Sequence, residues 1–219
     1  SELTSGFFLL IAVNAAIRLD GRRSLLLAVV VGAAVGAAYC ARPYTALIFG
    51  FPLGIWIAWR WFRRELPLGV PIVGAAAALP FIAAYLWINS ELTGSAWVTP
   101  YAINFPGRFR LGFGQDTFGV IHTPQLALAV MGLTLVELNV WSLGWPLSLI
   151  PIIAGLWLGR LRRGAWLLAA IPLFALVAHM PVPMAGVHDT GPLYYLEVLP
   201  LLVILAARGL IELGRRLGE

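Results

Sequence analysis

The chain has 219 residues, of which 60% are hydrophobic and 11% charged, with a mean hydropathy of +0.87. Soluble domains carry about a quarter charged residues, so a water-dissolved globule is excluded and a lipid bilayer is the expected solvent. The formal charge is +5 and every basic residue is Arg; these stand in short clusters between apolar runs, a topology signal and not a nucleic-acid patch.

In chain order, the apolar segments run over 3–19, 24–41, 44–62 and 66–88. A polar stretch rich in Gly and Pro follows, over 89–123. Further apolar segments cover 125–143, 145–158, 165–180 and 193–213. Each is near the roughly 20 residues that a spanning helix needs, although 145–158 and 165–180 are short. Helix is the only open choice, because a lone strand leaves its backbone unsatisfied in hydrocarbon. Gly32 and Gly36 form a G-x-x-x-G spacing that suits close helix packing, although a run this rich in Gly and Ala produces that spacing by chance as well. Pro67, Pro71, Pro80 and Pro172 are expected to kink helices without ending them. The single cysteine, Cys40, excludes an internal disulfide and is expected to be a small buried apolar side chain. The chain opens almost directly inside an apolar run, which reads as part of a longer protein.

Orientation follows from Arg. Clusters at Arg18/Arg22/Arg23, Arg60/Arg63/Arg64, Arg160/Arg162/Arg163 and Arg208/Arg215/Arg216 are all expected on the cytoplasmic side. If all eight segments crossed, the last two clusters would fall outside. If 125–143 does not cross, all four fall inside. Thr134, Glu137, Asn139 and Ser142 also suit an interface better than hydrocarbon. The expected fold is therefore all-α: one polytopic transmembrane domain over 1–219, with about seven spanning helices, an outer loop over 89–123 and an outer interfacial helix over 125–143. The expected location is an inner, or plasma, membrane, with the Arg-rich loops and the C-terminus cytoplasmic and membrane lipids as partners.

This topology gathers a set of polar residues on the outer face: Glu2, Arg42, Glu91, Arg108, Arg110, Asp116, His122, His188, Asp189 and Glu197, with Tyr44, Tyr101, Tyr194 and Tyr195. An Arg on that side opposes the usual charge bias. Arg42, in a tight turn before Pro43, either snorkels to headgroups or binds an anion, since a guanidinium fork matches phosphate oxygens. Arg108 and Arg110, in a long loop set by Gly and Pro, have the same two readings. His188 beside Asp189 suggests an acid/base pair or half a metal site, but adjacent side chains point apart and a turn with a helix cap explains 189–191. Glu197 lies about one turn into the last apolar segment, where an ionisable side chain faces a bundle interior or cavity, or sits at a helix N-terminus.

The run from His188 to Pro200, HDTGPLYYLEVLP, with Ala207-Arg208-Gly209-Leu210 after it, resembles the last-helix signature of bacterial GT-C membrane glycosyltransferases, of the mannosyl- and aminoarabinose-transferase-like kind. Ala41-Arg42-Pro43-Tyr44 leading to Phe51-Pro52, Asn89 to Ser95, Thr99-Pro100-Tyr101, Gly112-Phe113-Gly114, His122-Thr123-Pro124 and Gly144-Trp145-Pro146 match in order. The resemblance implies transfer of a sugar from a polyprenyl-phosphate donor to a lipid or protein acceptor on the non-cytoplasmic face. It implies phosphate and lipid contacts from Arg42, Arg108, Arg110, His122, His188, Tyr194 and Tyr195. No cofactor is implied, and a divalent metal is left open. The family places an Arg before the Tyr of the last motif, where this chain has Leu193. The family's catalytic acid lies in an outer loop upstream of the segments present here. Asp189 and Glu197 are the candidate catalytic carboxylates on this chain.

Two other classes compete. A transporter or flippase subunit would carry ionisable groups near the midplane with access to both sides. A non-catalytic membrane scaffold would need no base. The crowding of polar residues on one face favours the enzyme.

Overall fold

The computed structural model describes residues 2–104, 111–115, 121–158, 163–182, 187–188 and 191–218, with residues 115, 163, 187, 188 and 191–193 described by their backbone. Among these the chain is nearly all helical. The helices are α1 (Glu2–Leu19), α2 (Leu25–Ala41), α3 (Pro43–Phe62), α4 (Gly69–Thr93), α5 (Pro100–Asn104), α6 (Pro124–Trp141), α7 (Leu149–Trp157), α8 (Leu167–Ala178) and α9 (Leu199–Leu217). Two minimal antiparallel pairings occur, of β1 (Gly114–Gln115) with β2 (Ile121–His122) and of β3 (Val187–His188) with β4 (Gly191–Pro192).

Local chemistry sets the ends of these helices. The Ser24 and Thr123 hydroxyls cap α2 and α6 by accepting from the Leu27 and Leu126 amides. Pro43 and Pro124 occupy the first positions of their helices, where no amide is needed. Gly94, at φ 76°, ends α4 in the left-handed conformation that glycine adopts without strain. Pro80 and Pro172 lie inside helices as expected, and so does Pro52. Pro67 instead precedes α4, and Pro71 falls in its first turn, where a missing amide costs nothing.

Four helices, α1, α3, α4 and α6, are long and apolar enough to cross a membrane, and α2 and the segment 164–178 are shorter apolar helices. Their exposed faces carry large apolar groups such as Leu26, Phe51, Ile72, Leu79, Trp87 and Leu173. A helix that is hydrophobic all round belongs inside a core or in lipid. On α4 only Val70 and Asn89 are buried, so lipid is its solvent. These helices mark the chain as a membrane protein.

Helix α1 packs against α2, α3 and α8. Leu9, Ala12 and Ala16 of α1 are fully buried, as are Phe49 and Leu53 of α3, Ile171 of α8 and Leu201 and Leu205 of α9. Small residues bring two helix pairs into backbone contact. On α2, a Cβ at Gly32 would overlap the Gly74 carbonyl of α4, and one at Gly36 would lie 3.0 Å from the Ala78 oxygen. The same holds between α7 and α9, where a Cβ at Gly155 would overlap the Leu205 carbonyl and one at Gly209 the Pro151 carbonyl. In lipid, where burial drives no association, such van der Waals contact holds helices together. Cys40 departs from expectation: it is exposed, and its thiol donates to the Phe81 carbonyl at 3.2 Å.

One end of the bundle is tied by charge. The Arg60 side chain, at the end of α3, pairs with Asp20 of the α1–α2 turn and, through Nε at 2.6 Å, with Glu65 of the α3–α4 turn. The Gly164 amide donates to the second Asp20 oxygen at 3.2 Å. Thus the α1–α2 turn, the α3–α4 turn and the start of α8 share one end. Arg60 is buried, and its guanidinium lies 5.5 Å from the Trp56 ring.

Substituting Gly32→Val or Gly155→Val should destabilise the fold by about 1–3 kcal/mol or more, the usual cost of overpacking. Gly54→Val, where a Cβ meets open space among the described residues, should change stability by less than about 0.5 kcal/mol. Unfolding in mixed micelles by SDS titration, followed by circular dichroism, measures both.

Candidate functional site

The opposite end of the bundle gathers a polar cluster from three distant parts of the chain. Arg42 caps the end of α2 and begins α3, held there by Pro43. Its Nη1 lies 2.8 Å from Glu197 Oε1 and 3.4 Å from Glu2 Oε1. Ser5, on the first turns of α1, donates its hydroxyl to the same Glu197 oxygen at 3.1 Å. Gly6 makes room for this carboxylate, since a Cβ there would touch Glu197 Cγ at 3.4 Å.

Glu197 does not lie within the last helix, as the continuous apolar pattern suggests. A 3-10 turn over Leu193–Tyr195 leads into a non-helical turn, and α9 begins only at Leu199. Glu197 occupies that turn, with its side chain 1% exposed. Its Oε2 is buried and has no hydrogen-bond partner among the described residues. Burial pushes its carboxyl above the usual carboxylate range, and the Arg42 charge opposes that shift.

Beside this pair sits an aromatic box. His179, just past the end of α8, is stacked on Tyr194 with ring centroids 5.7 Å apart and meets Tyr44 and Tyr195 at 5.6 and 4.9 Å. Its Nδ1 contacts the Ala175 carbonyl at 2.8 Å. Burial lowers its pKa; the Ala175 carbonyl opposes that shift and the Arg42 charge adds to it, and the net effect favours the neutral ring. Burial pushes the Tyr195 hydroxyl up to about 12. The Tyr44 hydroxyl donates to the Ala178 carbonyl, which fastens the start of α3 to the end of α8.

His122 is buried in the same region. Its Nε2 contacts the Met180 carbonyl at 2.8 Å, and its ring is stacked on Phe113 at 5.4 Å. An Nε2–H donor leaves Nδ1 as an acceptor, and Nδ1 has no partner among the described residues. A cavity of about 10 Å³ lies here, lined by His122, Thr134, His179 and Tyr195 with apolar neighbours from α6 and α8. It is the size of about one water molecule. The residues of α6 on this cavity are Ala127, Val130, Met131 and Thr134, one face of the helix at a three-to-four-residue spacing.

Among the residues expected from sequence, Arg42, His122, Tyr194, Tyr195 and Glu197 therefore converge at one end. His188 is placed in β3, close to that end through its pairing with β4. Arg108, Arg110 and Asp189 lie outside the described residues. Ser5 and His179 escaped the sequence reading. His179 terminates an apolar segment, and a single polar residue there looks like a boundary. Ser5 meets Glu197 across 192 positions, and no local pattern carries that distance. No group of three or more His, Cys, Asp or Glu side chains suited to a metal occurs among the described residues.

Comparison with known proteins gives no match: no family model fits the chain, and neither a curated protein nor a solved structure is similar to it.

Arg42→Met leaves the buried Glu197 carboxylate unpaired and should cost up to about 3–5 kcal/mol. The double variant Arg42→Met/Glu197→Leu removes both charges and should recover most of that loss. A double-mutant cycle in the same unfolding assay reads the coupling; additive effects of the two substitutions would mean that the contact stabilises nothing.

Proposed function

We propose that this chain is the carrier-binding part of a membrane glycosyltransferase that takes a sugar from a polyprenyl-phosphate donor. The observation that carries the reading is the position of Arg42. A cation with a side chain 21% exposed sits at one end of an apolar bundle beside a neutral imidazole and several phenols. Both described ion contacts of Arg42 use Nη1, which leaves Nη2 and Nε for an anion. Glu197 and Ser5 are positioning residues that hold the guanidinium in place. A lipid-linked phosphate reaches such a site from the bilayer edge, and its isoprenoid tail stays in hydrocarbon.

In the reaction, the acceptor hydroxyl oxygen attacks the anomeric carbon. The bond from that carbon to the phosphate oxygen breaks, and its electron pair leaves with the phosphate. The hydroxyl proton passes to a carboxylate, which the family resemblance assigns to a preceding outer loop. Arg42 stabilises the charge that develops on the leaving phosphate, in a site where water is scarce. A transporter would need charged groups midway along the helices. The buried charged residues described here, Arg60 and Glu197, both lie at helix ends, which favours the enzyme.

The proposed topology has seven crossings, the apolar segments 3–19, 24–41, 44–62, 66–88, 145–158, 165–180 and 193–213, with the Arg42 end outside and the Arg60 end cytoplasmic. The meeting of Asp20, Arg60, Glu65 and Gly164 supports a common side for the Arg clusters. The contacts of His122 with Met180, and of the cavity face of α6 with His179 and Tyr195, support α6 lying across the outer end.

Binding of a polyprenyl-phosphate sugar to the purified chain in detergent tests the site. Arg42→Ala should weaken binding about ten- to hundredfold, the worth of a charge-assisted hydrogen bond. Arg215→Ala, at the far end of α9, should leave it unchanged. Equal binding by both variants would remove Arg42 from the site. For topology, Arg160→Cys and Arg215→Cys in a Cys40→Ser background should react with an impermeant thiol reagent only from the cytoplasmic side; labelling of both from outside would overturn the orientation.

A further inference from the structure

A second concave feature lies at the other end of the bundle, away from the Arg42 cluster. It is an almost wholly apolar groove of about 330 Å³ between α3 and α8, within the size range of small-molecule sites. Pro52 and Leu167 are buried in its floor, and the short side chain of Ala170 leaves the depression open. The groove begins where Phe51 and Phe174 stack at 4.9 Å. It ends between Trp59 and Trp166, both exposed. From Phe51 to Trp59 the helix rises about 12 Å, close to one leaflet's depth of hydrocarbon.

The Trp end of the groove is the charged one. The Arg63 guanidinium lies 5.2 Å from the Trp59 ring, and its side chain is 59% exposed. The nearest described carboxylate, Glu65 Oε1, stands 3.6 Å from Arg63 Nε, beyond hydrogen-bonding distance. Glu65 is also the ion partner of the buried Arg60, so its charge is shared. An apolar slot half a bilayer deep, with indole rings at its mouth and a cation above one of them, has the form of a single amphiphile: a hydrocarbon chain below, an anionic headgroup above.

We propose that the α3–α8 groove binds one acyl chain of an anionic phospholipid from the leaflet at the Arg60 end, with the headgroup phosphate on Arg63. Convex helix faces such as that of α4 touch lipid on one side only. The groove surrounds a chain on its floor and both walls, so the same chain loses more contact on leaving it. The site is separate from the proposed donor site, and its occupancy does not depend on sugar transfer.

The full chain in nanodiscs is illuminated with tail-diazirine phosphatidylglycerol or with phosphatidylcholine carrying the same chains, and labelled peptides are mapped by mass spectrometry. Labelling should concentrate on residues 51–59 and 166–174. Phosphatidylglycerol should exceed phosphatidylcholine about fivefold, the worth of one cation at an anionic surface. Arg63→Gln should bring the two lipids level while keeping the position of the label. Ala170→Trp fills the groove and should reduce labelling by both lipids to that of the exposed face of α4 around Leu79 and Trp87; Ala170→Leu is a milder filling should the larger residue prevent folding. Labelling no denser than on α4, or a headgroup preference unchanged in Arg63→Gln, would overturn the proposal.

Discussion

The peptide backbone cannot be left unsatisfied in hydrocarbon, and the architecture follows from that constraint. Most of each apolar segment closes its hydrogen bonds within a helix. Polar groups that the helices cannot absorb are driven to the two ends. With lipid on the outside as apolar as any core, burial gives little reason for helices to associate. The backbone contacts of Gly32 with α4 and of Gly155 with Gly209 supply one reason. Charge supplies the other, at the bundle ends where its desolvation is least costly.

Those two ends are built differently. Around Arg60 the charges are paired with one another: a buried guanidinium stands between Asp20 and Glu65 and against an indole ring. That arrangement fixes where the α1–α2 turn, the α3–α4 turn and the start of α8 sit relative to each other, which is the best-attested use of a buried ion pair. Around Arg42, as at Trp56 Nε1 near the other end, some buried polar atoms lack a hydrogen-bond partner among the described residues. Among the described residues, one buried Glu197 oxygen and one His122 ring nitrogen have no hydrogen-bond partner. Polar groups left in that condition are concentrated where a ligand or water completes them. Access is what separates the proposed site from the structural anchor: the Arg60 guanidinium is buried, and the Arg42 side chain is partly exposed.

Much of the fold was legible from residue order. The helices at α1 to α4 lie within a few residues of the apolar runs, because a run's length and its flanking Ser, Pro and Gly set where hydrogen bonding can start and stop. The helix expected over 125–143 is α6, Pro124–Trp141. The last apolar run was the misleading one. From Leu193 onward it reads as one helix, yet the chain makes a 3-10 turn and a further turn before α9. The early residues pack Tyr194 and Tyr195 around His179, and that tertiary gain overrides a continuous apolar pattern. Cys40 was misread for a related reason: on a membrane helix a small apolar residue faces lipid as readily as it faces a core.

By itself the amino-acid order determined that this is a helical membrane chain, where its helices run, and that Arg42, His122, Tyr194, Tyr195 and Glu197 were worth watching. Composition and periodicity are local properties, and lipid enforces them segment by segment. Only the tertiary structure decided that Glu197 meets Arg42 and Ser5, that Arg60 is an anchor and not merely a topology signal, and that His179 belongs beside the cluster. Those contacts join residues far apart in the chain. Which helix faces meet depends on how small residues and charges pack in three dimensions, and no spacing along one segment encodes it.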